Sequence, residues 1–412
     1  MKKIIVVGAG ASGLIAAGRA AFFGAEVLLL EKMKYPGRKL RITGKGRCNL
    51  TNVADLDTFM GQFGKNGRFL RSAFSVFFVP ELMDFFTGLG INLETQRGGR
   101  VFPSSGSAPE VVDTLVKWTR GQGVTLKKSS PVDSLLLENG RVTGVKTRGG
   151  GNIAADAVVF SMGGASYPAT GSDGDGFRLA ESVGHSIVSI RPSLVPLETS
   201  SFASTRAAGL QLQNSKVCMF VNKKKKREEF GELLFTGFGV SGPTVLRLSG
   251  DAVDEMNSGN MVELSIDLKP GLDMVKLEAR ILRDLESRGT EAVSSILRGL
   301  LPKELVPVCL ELTGINRSIT GNQLRAGSRK KLREWLKDFR LEVTGSRPLE
   351  EAIVTAGGVS LKDVNPATME SRIVKNLFIT GEMLDLQADT GGYNLQAAFS
   401  TGWLAGEAVI DR

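Results

Sequence analysis

Histidine is almost absent from this 412-residue chain: His185 stands alone, and the three cysteines, Cys48, Cys218 and Cys309, lie far apart. One imidazole excludes multi-histidine metal centres, and a Ser/His/Asp hydrolase is left open only if His185 itself serves it. The cysteines show neither C-x-x-C nor zinc-ligand spacing, so no metal is expected and a reducing cytoplasm fits. Long apolar runs are missing too. None approaches the roughly 18 residues that span a bilayer, and Ile4 to Val7 is too short for the apolar core of an export signal. The expectation is a soluble, cytoplasmic protein with no membrane partner, whose chemistry comes largely from a bound cofactor.

What is present starts at the N-terminus. The apolar run Ile4 to Val7 reads as a buried parallel strand, and Gly8, Gly10 and Gly13 follow it at G-x-G-x-x-G spacing. In such a unit the first glycine makes the tight turn, the second admits a pyrophosphate to the backbone, and the third lets the helix approach the sheet. A helix over about Ser12 to Phe23 would offer its free N–H groups to the phosphates. A second apolar strand, Val27 to Leu30, runs into Glu31, placed to bind a ribose diol. Together these predict a dinucleotide-binding βαβ unit.

The segment from Lys34 to Arg47 carries six basic side chains and no acid, and reads as a loop that wraps an anion. Helical patterns cover about Asp57 to Gly61, Gly67 to Val76, Pro80 to Leu89 and Ala108 to Gln122. Strands follow at Thr125 to Lys128, Val132 to Leu137, Arg141 to Lys146 and Ile153 to Phe160, with Asn139-Gly140 a hairpin signal. Val158 to Gly164 then looks like a strand returning to the nucleotide sheet. Residues 192 to about 270 alternate like a small sheet or barrel, and 273 to about 340 read as helices. Near Glu351 the first texture resumes, with an apolar strand running into Gly381-Glu382 and a closing helix from Tyr393. The predicted fold class is α/β: a two-dinucleotide-binding, glutathione-reductase-like Rossmann domain over 1–190 and 346–412. Into it are inserted a β-barrel-like part, 191–270 plus about 340–355, and a helical part, 271–340. At 412 residues, two or three domains are expected.

An N-terminal Rossmann unit clasped by a distant strand ending in Gly-acid is how FAD is held in that class, so FAD is expected as the resident cofactor and NADH or NADPH as a transient one. Gly237-Phe238-Gly239-Val240-Ser241-Gly242 also fits G-x-G-x-x-G, but it lacks the preceding parallel strand and the later acid. No second Rossmann site is read there.

Several stretches carry a specific likeness. Gly37-Arg38-Lys39-Leu40, Gly46-Arg47-Cys48-Asn49-Leu50-Thr51-Asn52, Gly99-Arg100-Val101-Phe102-Pro103, Ser241-Gly242-Pro243, Thr355-Ala356-Gly357-Gly358-Val359, Thr368-Met369-Glu370-Ser371, and Gly381-Glu382 with Gly391-Gly392-Tyr393-Asn394-Leu395-Gln396 resemble the BaiN/RdsA-like FAD-dependent oxidoreductases from end to end. The resemblance implies reduction of conjugated carbon–carbon double bonds, with steroid-type enones and a uracil of ribosomal RNA as substrate classes. It also implies a FAD-contact set: Gly8, Ala9, Gly10, Ser12, Gly13, Glu31, Lys32, Arg38, Lys39, Gly44, Arg47, Cys48, Asn49, Val132, Gly163, Gly164, Gly381, Glu382, Asp385, Gly391, Gly392, Asn394, Leu395 and Gln396. Relatives commonly carry a histidine shortly before Ser-Gly-Pro; this chain has Gly237 in that stretch, which leaves the histidine's role open.

Reduction of an activated C=C needs a hydride from the flavin and a proton from a nearby donor. The inventory is Cys48, Tyr35, Tyr167, Tyr393, His185 or water. Cys48 stands among cations that would lower its pKa, and Tyr393 is expected at a helix N-terminus near the flavin, so these two are the catalytic candidates. His185 reads as structural. With a net charge of +9 and basic segments at 223–227 and 325–340, structured RNA is an expected partner. The preferred expectation is therefore a reductase forming dihydrouridine in ribosomal RNA. A small-molecule enone reductase and a non-catalytic RNA-binding flavoprotein are the alternatives.

Overall fold

The computed structural model describes residues 1–200 and 202–411. Two compact units divide the chain: Met1–Arg191 together with Ala352–Arg412, and Pro192–Glu351.

The first unit is built on a five-stranded parallel sheet in the order Leu377–Ile379, Ala157–Phe160, Lys3–Val7, Glu26–Leu30, Thr125–Lys127. Ala157–Phe160 and Leu377–Ile379 are buried along their whole length, as strands covered on both faces must be, and this is why they read as unbroken apolar runs. The first helix, Ala11–Phe22, packs along the last, Tyr393–Ala408, at very short range. A Cβ on Gly402 would lie 2.4 Å from the Ser12 carbonyl oxygen, and one on Gly406 2.7 Å from that of Ala16. Two glycines one turn apart thus let the helices touch backbone to backbone.

An antiparallel meander, Val132–Glu138, Arg141–Thr147 and Gly151–Ala154, leads into the fourth parallel strand. Asn139 and Gly140 make its first turn at φ 50° and 72°, the doubly left-handed geometry of a two-residue hairpin. The single strand expected over Ile153 to Phe160 is two strands, because Ala155 and Asp156 carry the chain from the meander to the sheet. Likewise the helix expected over Gly67 to Val76 is a 3-10 segment, Gly64–Leu70, followed by an α-helix, Arg71–Val76. A small sheet of Thr51–Asn52, Arg100–Pro103 and Leu93–Gln96 had no legible signal, since its strands are too short to show a period. The basic segment expected as a loop is instead folded. Gly37 turns at φ 66° and its N–H bonds the Ala9 carbonyl at 2.8 Å, starting a short helix, Arg38–Ile42, and a 3-10 turn, Thr43–Gly46.

The second unit contains a closed six-stranded barrel in the order Leu197–Thr199, Gly239–Ser241, Lys224–Phe235, Gln211–Val221, Val262–Asp267, Phe339–Ser346. Val217, Met219, Leu233, Phe235, Leu264 and Ile266 fill its core, alternating along their strands as the two-residue period requires. Helices Met274–Ser287, Leu305–Thr313 and Ala326–Lys337 continue the same core. Since Phe339–Ser346 closes the barrel, the return to the first unit falls at Ala352 rather than 346. The glycine motif at 237–242 lies here, its strand paired antiparallel on both sides, which is incompatible with a Rossmann turn. Among the described residues no helix is long and apolar enough to cross a membrane.

Candidate functional site

The chain turns out of the first strand at Gly8, whose φ is 98° and whose N–H bonds the Leu30 carbonyl at 2.8 Å. A Cβ there would meet the Ser161 carbonyl oxygen at 2.4 Å, and one on Gly13 would meet that of Gly8 at 1.8 Å. Gly10 differs: nothing lies within 4 Å of its Cβ position. Open space therefore sits at the start of the first helix, whose N-cap, Gly10, makes no side-chain bond and whose first turn holds no acid. Its free N–H groups and dipole suit a pyrophosphate.

Glu31 closes the adenosine side. Its carboxylate accepts from the backbone N–H of Ala9 and of Met33, each at 2.8 Å, leaving further lone pairs for a diol. Burial raises its pKa above the ordinary carboxylate value against the pull of those two N–H groups. Val132, buried at the head of the meander, follows Ser130, whose N–H bonds the Glu31 carbonyl at 2.9 Å.

Three hydroxyls tie the sheet ends together behind this turn. Ser12 Oγ donates to Thr380 Oγ1 at 2.6 Å, and Ser161 Oγ lies 2.8 Å from the same atom. Sequence reading named Ser12 but missed Ser161 and Thr380, because residues about 220 positions apart leave no spacing to detect.

Other expected contacts are held by the protein itself. Lys32 binds Asp173 and Asp175, both at 2.7 Å; burial pulls both acids up and the shared lysine pulls both down, so that the more exposed Asp173 ends lowered and the more buried Asp175, beside the Asp173 charge, ends raised. Lys39 Nζ reaches Ser166 Oγ at 2.6 Å and Glu382 Oε2 at 2.7 Å, while Glu382 Oε1 accepts from the Thr355 N–H at 3.0 Å. Gly164 has to be glycine beside this cluster, since a Cβ would lie 2.3 Å from Thr355 Oγ1. Gly163, at φ 77°, leaves only 2.9 Å to Ser172 Oγ. Lys32, Lys39 and Glu382 thus brace the rim through protein partners. Arg38 is half-buried and has no hydrogen bond or ion pair among the described residues, so it is available to an anion. Arg47 lies 4.2 Å over the Phe102 ring, and Gly44 turns left-handed against the Asn49 N–H.

At the other end, Gly381 fits against Ser12, and Gly392, at φ 101°, caps the last helix without a side-chain bond. A Cβ on Gly392 would strike the Thr51 carbonyl at 2.3 Å, and Asn52 Nδ2 donates to the Gly391 carbonyl at 3.1 Å. The Asn49–Asn52 stretch is thereby fastened to the N-terminus of that helix. Asp385 is fixed by Asn66. The Asn394 amide holds the backbone of Ala388 at 2.9 and 2.8 Å. Gln396 is fully buried between Thr51, Phe77 and Ser400, while Leu395 packs on the core. Both amides shape the site from behind.

The residues fit a FAD. Besides the open space at Gly10 and two uncapped helix starts, Asn49 Oδ1 and Gln387 Oε1 are buried acceptors with no partner, and a flavin's N3–H and ribityl hydroxyls are donors of the kind such atoms need.

Among proton donors, Cys48 is overturned as an activated thiol. Its side chain is fully buried, and desolvation pushes the thiol up to about 12, with only the Thr43 hydroxyl opposing. The cations around it in sequence do not surround it in space. Tyr393 begins the last helix, half-buried with its ring edge-on to Phe59 at 4.7 Å, and burial, with Asp389, raises its phenol. His185 is interior, its Nε2 2.8 Å from Ser371 Oγ.

The basic segments also look different in three dimensions. Lys225 pairs with Glu228, Lys226 with Glu255, and Arg227 with Glu229 and Asp251. Arg329 and Arg333 share Glu278, Lys337 takes Asp267, and Arg340 takes Glu263 and Asp338. Residues 192–351 contain 24 Lys and Arg against 21 Asp and Glu, so the unit is nearly neutral.

Residues 2–408 match the HI0933-like protein Rossmann domain family. The chain belongs to this family. Over 416 residues, covering all of both chains, it is 33% identical to the 3-dehydro-bile acid delta(4,6)-reductase of Clostridium scindens. Over 408 residues it is 31% identical to the ribosomal RNA dihydrouridine synthase of Escherichia coli, covering 98% of this chain and 97% of that one. Among solved structures, 3-ketosteroid delta1-dehydrogenase from Sterolibacterium denitrificans superposes with a TM-score of 0.54 at 15% identity, covering 99% of each chain, a likeness of fold. As an HI0933-like protein the chain is a FAD-dependent oxidoreductase.

Proposed function

We propose that this HI0933-like flavoprotein reduces an activated C=C bond in a small, largely apolar enone of steroid type, with NADH or NADPH as reductant. The observation that carries this choice is the pairing of the basic segments. The expectation of an RNA substrate rested on cations at 223–227 and 325–340, and most of those are matched by acids within the protein. A backbone of phosphates would have to displace those carboxylates. The full-length relative named as a bile acid reductase supports the same reading.

FAD supplies the hydride chemistry when bound. Gly10 and the start of the first helix receive the pyrophosphate, Glu31 the ribose, and Arg38 a phosphate oxygen. Tyr393 is the side chain to which we assign the proton: it starts the last helix, and its phenol, raised by burial, stays protonated across the neutral range. Tyr393→Phe should retain FAD but lower the rate of substrate reduction by about tenfold or more, within the range general-acid residues contribute. Cys48→Ser should leave the rate within about twofold, a sign that no thiol chemistry is lost.

A second reading, reduction of a uracil in ribosomal RNA, is favoured by the 31% identical relative. The two separate in anaerobic stopped-flow with NADH and NADPH, followed by challenge of the reduced flavin with a steroid enone or with deproteinised ribosomal RNA. Reoxidation by the enone, unchanged by added salt, is the expected result. Reoxidation by RNA alone overturns the choice, and a flavin that neither nucleotide bleaches overturns the nicotinamide-dependent reductase altogether.

A further inference from the structure

Six of the side-chain amides in the two stretches 49–66 and 387–396, the second of which holds the uncapped start of the last helix, fall into two groups. Asn52, Asn66, Asn394 and Gln396 are each bonded by the protein: Asn52 to Gly98 and Gly391, Asn66 to Asp385, Asn394 to Ala388, Gln396 to Thr51 and Ser400. Asn49 and Gln387 have no protein partner for the amide among the described residues, and their oxygens are buried. A buried amide oxygen left unpaired costs about 1–3 kcal/mol. Left unpaired while the other four of these amides are satisfied, the two oxygens mark groups reserved for a ligand.

The position of Gln387 narrows what that ligand group is. It stands between Asp385, whose N–H bonds the Val359 carbonyl at 3.1 Å, and Ala388, whose backbone is pinned by Asn394 at 2.9 and 2.8 Å. The loop is therefore fixed on both sides of the one residue whose side chain is unclaimed. It leads directly to Gly392 and the free N–H groups of the sixteen-residue last helix. A flavin pyrimidine edge presents two carbonyl oxygens with an N–H between them. Helix-end N–H groups answer the carbonyls, and only an acceptor can answer the N–H.

We propose that Gln387 accepts the hydrogen bond from the flavin N3–H. Gln387 is thus a specificity-determining residue for the flavin and sets how firmly its pyrimidine edge is held. This rests on the assignment of FAD to the site. An amide can be turned end for end about its last torsion; the N3–H selects the rotamer that points the oxygen inward to the flavin.

The test is a binding cycle on apoprotein, read by quenching of flavin fluorescence rather than turnover. Wild type and Gln387→Ala are each titrated with FAD and with FAD methylated at N3, which lacks the donor and needs room. Wild type should prefer FAD by tenfold or more, whereas Gln387→Ala should bind FAD about tenfold more weakly and discriminate less than twofold. Gln387→Glu, which keeps an acceptor, should restore the preference and shift the flavin midpoint potential downward. Equal discrimination in wild type and Gln387→Ala overturns the proposal. Failure of wild type to bind FAD would instead overturn the cofactor assignment, and thermal melts of the apo variants separate a folding defect from a binding one.

Discussion

The glycine turn at the N-terminus and the basic segments of the second unit both looked like phosphate-binding devices, and only the turn has open anion-ready backbone. At Gly8 to Gly13 the binding groups are backbone N–H groups, aimed by the helix they start, so local sequence determines their direction. At 223–227 and 325–340 the binding groups would be long side chains, whose partners depend on what folds beside them. Glu255, Glu278 and Asp267 come from other elements and take them. A motif whose function lies in the main chain can be read from neighbours in sequence; a motif made of charge has to be read from neighbours in space.

The largest effect that sharpens this contrast is expected at Gly13. Gly13→Ala puts a methyl 1.8 Å from the Gly8 carbonyl oxygen and should destabilise the protein by about 3 kcal/mol, at the upper end for overpacking. Urea unfolding of the apoprotein measures it. Gly10→Ala, with nothing within 4 Å, should leave the apoprotein's unfolding midpoint unchanged yet weaken FAD binding by on the order of tenfold, about 1.4 kcal/mol. If both variants unfold alike, the division between a packing glycine and a ligand glycine fails.

How much could be read beforehand follows the same line. The βαβ unit, the meander with its Asn139-Gly140 turn and the alternation that marks the barrel were visible because each follows a short period or a local turn rule. The Ser12–Thr380–Ser161 cluster, the Lys39–Glu382 pair and the capture of Lys32 by Asp173 and Asp175 were not, since each joins residues more than a hundred positions apart. Cys48 shows the error most plainly. Its sequence neighbours are cationic, but its spatial neighbours bury it, and burial dominates the thiol.

A smaller effect tests the other half of the comparison. Glu278→Ala removes the shared partner of Arg329 and Arg333 and should cost about 1 kcal/mol, in the range for partly exposed pairs. It should also raise the salt needed to elute the protein from heparin, since two matched cations become unmatched. An unchanged elution would mean the pairing does not mask the basic face.

The smallest effect is a pH slope. Burial depresses the His185 pKa, against weaker pulls from the Ala180 carbonyl and Asp363. The unfolded chain then binds a proton that the folded one refuses, so stability rises with pH up to the unfolded value near 6.5 and falls as pH drops through the lower folded value. Because His185 is the one histidine, proton NMR should show a single imidazole titrating below the ordinary value. His185→Gln should flatten stability over that window.

The parallel pairing of Leu377–Ile379 with Ala157–Phe160 bears on how the protein is made. During synthesis the strand at 157–160 emerges more than two hundred residues before its outer neighbour, and one edge of the sheet stays bare while the whole barrel is translated. Val158, Val159 and Phe160, fully buried in the finished protein, are the side chains that the nascent chain must shield in the meantime. A stall or truncation before 377 would leave a sticky half-sheet without its Thr380 latch. The stretch from Leu377 onward is therefore an assembly step in its own right: the sheet that carries the flavin pocket is not complete until that strand has emerged and paired.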